Sequence, residues 1–282
     1  AHVSCLAEQA KILCAEAEEN NLDAKVRFER FRRWDTCSLC EQDYHGVVEC
    51  ALGWACWKTY VGRPEANWAR QCAMTVLGSG LHAAKRYEDA LTVQEAELST
   101  ERRLGVSEYN LNLLVVQNNL SNTYAKMERH EEALKLRQEV YSGRLKLLGE
   151  EHSQTISAAH NYALSLKERS RHAETKALMR KTIPVARRVL GASHELTLRM
   201  RGVYAESLCK DPGVTLDDLR EAVTTLEETE RAARRVMGGA HPLTTANEKA
   251  LQHARARLHA REALEAEKLA QDAFRTARAK VA

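Results

Sequence analysis

Apolar residues recur at helical spacing along almost the whole chain. Leu6, Ala10, Leu13, Cys14 and Ala17 form one stripe, which gives way to the polar run Glu18-Glu19-Asn20-Asn21. This spacing predicts a mostly helical segment over residues 1–33. Residues 34–46 are short, polar and cysteine-bearing, so a loop or small finger is expected there. Val47, Val48, Leu52, Trp54, Ala55, Trp57, Tyr60 and Val61 then make a short, broadly apolar helix, and Gly62-Arg63-Pro64 breaks it. The domain boundary is placed at this break, with residues 1–64 as a Cys-rich segment and residues 65–282 as a repeat array.

From about residue 66 the pattern is helix, tight turn, helix, repeated. Leu113, Val116, Leu120 and Tyr124 mark an inner helix, and Arg129-His130 marks a turn. Ala133, Leu134, Leu136, Val140, Leu145 and Leu148 continue as an outer helix. Leu104-Gly105, Leu148-Gly149, Leu190-Gly191 and Met237-Gly238 close successive blocks, with the glycines 44, 42 and 47 residues apart. Each glycine is expected as a left-handed cap after its helix. Three residues after the last three glycines come His152, His194 and His241, and three residues later Thr155, Thr197 and Thr244. The first copy is weaker, with Glu108 and Leu111 in those places. The histidines are read as turn residues near helix starts, because equivalent turns of stacked repeats stand too far apart to share one metal ion. Ala90, Ala133, Ala177 and Ala222 are expected to let paired helices approach closely.

The fourth block departs from the others. Lys210-Asp211-Pro212-Gly213 replaces the short turn, and Thr215 with Asp218 resembles a capping box. His241-Pro242 sets proline at a helix start. From Leu243 to Ala282 there is no glycine or proline, so the pattern predicts either one long helix or a pair with a turn near His259. A single helical hairpin cannot bury its own apolar face, whereas stacked neighbours can. The expected fold is therefore all-α, a right-handed α-solenoid of stacked hairpins. Residues 66–258 should be almost wholly helical, with turns near residues 86, 129 and 171.

Composition narrows the function. The chain is 44% apolar and 29% charged, with only 4 prolines and 13 glycines, which suits a folded helical protein. Forty-two basic and 39 acidic residues leave a net charge of +3, and no basic block stands out, so nucleic acid is not an expected partner. No apolar run is long enough to predict a membrane span, and no signal peptide opens the chain. The chain starts at Ala1 rather than Met, and is read as a fragment or a processed form with an intracellular, cytoplasmic location.

Six of the eight cysteines precede residue 57. Such clustering, with a Cys-x-x-Cys, fits metal binding in a reducing compartment better than a disulfide framework. Cys37, Cys40, His45 and Cys50 have the spacing of a zinc knuckle. Against that reading, Glu41 stands where the knuckle has glycine, and Cys50 enters the apolar helix around Trp54. Cys14, Cys56, Cys72 and Cys209 read as small buried hydrophobes. No Ser-His-Asp set, phosphate loop or paired-carboxylate setting appears, so no catalytic residue is assigned.

Two resemblances add to this reading. The Leu-Gly-x-x-His-x-x-Thr run, Asn118-Asn119-Leu120 with Tyr124-Ala125, and Arg129-His130-Glu131-Glu132-Ala133-Leu134 resemble the tetratricopeptide repeats of kinesin light chains. The similarity covers roughly residues 66–258. It implies a protein-binding scaffold whose inner helices line a peptide groove. Asn118, Asn119, Asn122, His160 and Asn161, with Arg199 and Arg201 toward the far end, are the candidate groove residues. Asparagine amides both donate and accept, which suits a grip on peptide backbone. The heptad pattern that would pair a light chain with a motor is not visible. The second resemblance lies at the N-terminus. His2-x-x-Cys5 and, after a long spacer, Trp34-x-x-Cys37-x-x-Cys40 resemble the back half of a RING-CH finger. That family holds two zinc ions through four ligand pairs in crossed order. By this resemblance His2, Cys5, Cys37 and Cys40 supply half of each site, and zinc is expected only if the other ligands exist in a longer chain. The alternative function is then a fragment of a ubiquitin ligase that would recruit a ubiquitin-conjugating enzyme and select substrates with its repeats.

Overall fold

A computed structural model describes residues 2–105 and 110–281. Glu108, the weak counterpart of the repeat histidines, lies outside the described residues. Among the described residues the chain is all-α. The helices are α1 (Val3–Glu19), α2 (Ala24–Phe31), α3 (Gly46–Tyr60), α4 (Trp68–Ala83), α5 (Tyr87–Arg103) and α6 (Leu111–Lys126). They continue as α7 (His130–Leu148), α8 (Ser153–Glu168), α9 (His172–Val189), α10 (Glu195–Lys210), α11 (Leu216–Met237) and α12 (Pro242–Val281). A one-turn 3-10 helix, Arg32–Trp34, and an isolated antiparallel bridge between Thr36 and Asp43 interrupt the series near the start. The last 40 residues of helix are one piece, with no turn at His259.

The chain divides into two compact units, Ala1–Gly143 and Arg144–Ala282. In the first, the Cys-rich segment and α4 share one apolar core. It gathers Ala10, Cys14, Phe31, Trp34, Leu52, Cys56, Tyr60, Ala73 and Val76. Gly62-Arg63-Pro64 is the connection between α3 and α4. These two helices pack backbone to backbone. A methyl group on Gly80 would stand 2.7 Å from the Glu49 carbonyl oxygen and 2.8 Å from Cys50 Cα. On the other side of the crossing, a methyl on Gly53 would stand 3.0 Å from Leu77 Cα. Two facing glycines therefore set the distance between the helices.

The hairpin turns fall where the pattern places them. Lys85, Glu128 and Ser170 adopt left-handed backbone, at φ +62°, +61° and +56°. The next residue's amide closes each turn, with Arg86 N donating to Leu81 O, Arg129 N to Tyr124 O and Arg171 N to Leu166 O, each at 2.9 Å. These are the 6→1 bonds of a helix C-terminus that stops in a left-handed residue. Each of those arginines then pairs with an acid three residues on: Asp89, Glu132 and Glu174. Such exposed pairs contribute little energy individually, but they recur at the same place in the hairpin. Ala90 and Ala133 are fully buried four residues after the turn arginine, and Ala222 is also buried. Ala177 is exposed. Counted from Arg171, the matching position is Thr175, which is fully buried.

In the second unit the core runs through Ile156, Met179, Met200, Leu208, Leu219, Leu226 and Leu251. Its helices are joined by the repeated Gly-x-x-His-x-x-Thr run, and each repeated position has one task. The glycine ends a helix with positive φ, at +81° for Gly149, +101° for Gly191 and +86° for Gly238. The histidine caps the next helix: Nδ1 of His152, His194 and His241 accepts from the backbone N–H two residues on, at 3.2 Å each time. The threonine is buried and its hydroxyl donates back to the end of the previous helix. Thr155 reaches Arg144 O, Thr197 reaches Ala186 O, and Thr244 reaches Gly238 O. Thr215 and Asp218 form the expected reciprocal capping box at the start of α11.

Replacing Gly80 with alanine drives a Cβ into backbone atoms that cannot rotate away. The substitution should destabilise the chain by about 1–3 kcal/mol, read as a lower midpoint in chemical denaturation. An unchanged midpoint would contradict the backbone crossing of α3 and α4.

Candidate functional site

In the first unit α4 and α6 lie side by side, with α5 packed behind them. Asn119 Nδ2 of α6 reaches Ser79 Oγ of α4 at 3.5 Å, and His82 Nδ1 meets Thr123 Oγ1 at 3.0 Å. Thr123 in turn donates to Gln94 Oε1 of α5 at 2.7 Å. Burial pulls the His82 imidazole below its ordinary range, so it is neutral in this network. Asn118, Asn119 and Asn122 are half-buried on α6, and Arg137 Nη2 donates to Asn122 Oδ1 at 3.4 Å.

Two cavities open on this face. One, of about 270 Å³, is walled by Phe28, Phe31, Trp68 and Val116, with Glu97 and Glu101 among its lining. The other, of about 460 Å³, shares Arg32, Asp35, Thr75 and Val76 with the first and adds Asp43 and Glu49. The acids here are held in unusual states. Burial pushes Glu97 up to about 8, with Glu101 adding to the shift and the Thr75 hydroxyl bond opposing it. Burial also raises Glu101. Asp35 and Glu49 are pushed up to about 7, first by burial and then by neighbouring carboxylates. Sequence reading assigned none of these acids a role. The available signal was position: Ala90, Gln94, Glu97 and Glu101 follow a 4-3-4 spacing, so the two glutamates fall on the buried stripe of α5.

In the second unit Asn161 is half-buried on α8, while His160 is only 7% exposed. Arg199 and Arg201 lie on α10, which touches both α8 and α12. Both cations are matched within the chain. Arg199 pairs with Glu195 at 2.5 Å, and Arg201, with its side chain 14% exposed, pairs with Glu228 at 2.5 Å.

The N-terminal metal candidates are placed as two separate pairs. His2 is the residue before α1, and Cys5 is exposed in its first turn. Cys37 and Cys40 occupy a tight turn closed by Cys37 N to Gln42 O at 2.9 Å and Glu41 N to Cys37 O at 3.0 Å. Glu41 has φ +55°, the conformation for which the knuckle pattern uses glycine. The Cys37 sulfur accepts backbone N–H bonds from Cys40 and Leu39, which hold its thiol below the ordinary range. This turn brings two cysteine side chains together. Cys50, however, is buried at the α3–α4 crossing with Leu77 and Leu81. Among the described residues no three His, Cys, Asp or Glu side chains come together as a metal site. The donors therefore do not fit a four-ligand zinc site. Cys14, Cys56 and Cys209 are buried, as read from the sequence, and Cys72 is half-buried.

Residues 112–181 match the family model described as tetratricopeptide repeat. Among solved structures, one described as "Podosopora anserina putative kinesin light chain nearly identical TPR-like repeats" aligns with a TM-score of 0.55 at 16% identity, covering 84% of this chain and 98% of that one. BtubC (BKLC) from P. vanneervenii aligns with a TM-score of 0.50 at 11% identity, covering 92% of this chain and 91% of that one. No curated protein matches the chain. The repeat part is thus tetratricopeptide-like and similar in fold to kinesin-light-chain-type repeats. These matches do not carry the RING-CH resemblance of the N-terminus. Among the described residues, no helix is long and apolar enough to cross a membrane.

An acid raised in the folded chain holds its proton more tightly there than when unfolded. Stability should therefore fall as pH rises from the ordinary glutamate range toward about 8, with Asp35 and Glu49 acting in the same direction as Glu97. Glu97→Gln should flatten this fall, raising the thermal midpoint at pH 8 while leaving it near the parent value at pH 4. Parallel midpoint-against-pH curves for the two proteins would contradict the assignment.

Proposed function

We propose that this chain is an interaction scaffold without covalent chemistry, and that it binds an extended protein segment along the α4–α6 face of its first unit. The observation that carries this reading is the row of half-buried amides, Asn118, Asn119 and Asn122, on the helix that also walls an open cavity. Such amides can pair with the backbone of a segment laid across them. The tetratricopeptide match over residues 112–181 includes this helix, which supports a protein partner. Asn161 on α8, with Arg199 and Arg201 on α10, offers a second stretch of the same kind in the other unit. His160 contributes there from a nearly closed position. Both arginines at that stretch are paired with acids of this chain.

One observation favours a second reading. The Cys37–Cys40 turn has the form of half a zinc site, which suits the RING-CH resemblance and a ligase that recruits a conjugating enzyme. Ubiquitin discharge from a charged conjugating enzyme in the presence of the chain would support it, and an unchanged discharge rate would leave the scaffold.

The scaffold reading is tested with a peptide selected from a random displayed library on the full chain. The double change Asn118→Ala, Asn119→Ala removes two amide contacts worth about 1 kcal/mol each, so affinity should drop severalfold to about thirtyfold. Helical content should stay at the parent level. Unchanged affinity removes the groove assignment.

A further inference from the structure

The 270 Å³ cavity of the first unit has a composition that a purely apolar cleft would not show. One wall is aromatic. Phe31 meets Trp68 edge-on at 5.1 Å between ring centroids, Phe28 stands 6.5 Å from Trp68, and both Trp68 (38% exposed) and Phe28 (54% exposed) lie open to solvent. The lining also holds Glu97 and Glu101, one helical turn apart on α5 and each only 3% exposed. Glu97 accepts a hydrogen bond from the Thr75 hydroxyl. Glu101 lines the cavity, and among the described residues it has neither a hydrogen-bond partner nor an ion-pair partner. Arg32 also borders the cavity, but it acts on Asp35 and forms no ion pair with either glutamate. Two little-exposed carboxyls thus line a solvent-connected space, and neither forms an ion pair among the described residues. A carboxylate in such a setting is poorly solvated, and a cation that enters the space compensates its charge.

We propose that this cavity is a docking site for the cationic side chain of an arginine- or lysine-bearing segment of a partner protein, with Glu97 and Glu101 as its counter-charges and the Trp68 and Phe31 rings as its wall. Three features fix the chemistry. The volume admits one long side chain rather than a folded element. The acids select positive charge, and the adjoining cavity adds Asp43 and Glu49 to Asp35, against Arg32, which borders both cavities. The aromatic rings attract a cation through their negative faces, and a planar guanidinium stacks on them while donating to two carboxylates at once, which an ammonium does less well. The cavity includes Asn112 and Val115 of α6, the helix that carries Asn118 and Asn119. The inference rests on the proposed segment-binding face and names the residue type that anchors the segment.

The probes are Nα-acetyl-arginine amide, the lysine equivalent and acetyl-citrulline amide, the last a neutral near-isostere of arginine. Each is titrated into the full chain, and the Trp68 indole N–H resonance is followed by NMR. The arginine probe should bind in the millimolar range, about fivefold or more tighter than citrulline. Glu101→Gln, which keeps the shape and removes a buried charge, should abolish that preference while helical content stays unchanged. Glu97→Gln should weaken it in the same way, and Trp68→Leu should weaken both probes. Affinity for arginine should also rise with pH as Glu97 ionises among Glu101, Cys72, Thr75, Asp35 and Arg32, the groups that surround it. Equal binding of arginine and citrulline, or a preference that survives Glu101→Gln, would overturn the docking site. Either result would leave the segment-binding face standing, because that face is tested separately through Asn118 and Asn119.

Discussion

The second unit depends on one recurring interaction: a buried threonine hydroxyl that ties the start of a helix to the end of the helix before it. Thr155 and Thr197 make this bond across a glycine that has just turned the chain, Thr244 makes it to the glycine's own carbonyl, and in each case a histidine has just capped the next helix. Here a side chain of the following helix bonds back to a carbonyl in or just past the final turns of the helix before it, so the end of one helix and the placement of the next are tied together. Three residues at fixed spacing thereby join each pair of successive helices, and the apolar core of Ile156, Met200, Leu208 and Leu226 lies between them.

The first unit uses different means for the same end. Gly53 and Gly80 bring α3 and α4 into backbone contact, and that crossing seats the Cys-rich segment against the first repeat helices. Polar groups then carry much of what lies between α4, α5 and α6. Gln94, Thr123 and His82 form a connected buried network, and Glu97 takes its bond from Thr75. Buried polar networks reward complete satisfaction and penalise any gap. Glu101 stands outside this network and lines the cavity. Packing and the proposed function therefore meet at one place, the cavity bordered by Glu97 and Glu101.

Much of the architecture was legible in the sequence because it follows from local chemistry. The glycines, histidines and threonines of the linker run, the Thr215–Asp218 capping box and the turns after residues 83, 126 and 168 all express short-range rules of backbone geometry. One reading went astray where residue type was trusted over register. Ala177 looked like a packing alanine, yet the buried position after the Arg171 turn is Thr175. Glu97 and Glu101 drew no reading of their own, although their spacing from Ala90 and Gln94 puts them on the inner stripe. In the Cys-rich segment the helices were legible, but the fate of the individual cysteines was not. The tight turn at Cys37–Cys40 is present, but Cys50 is committed to the α3–α4 crossing, and that distinction depends on a contact with Gly80 that no local pattern encodes.

The central claim is that the α4–α6 face of the first unit is where this chain meets another protein. Hydrogen–deuterium exchange of the full chain, alone and saturated with a peptide selected on it from a random library, tests this most directly. The account predicts slower exchange in Trp68–Ala83 and Leu111–Lys126. Protection confined to α11 and α12, with those two helices unchanged, would contradict it.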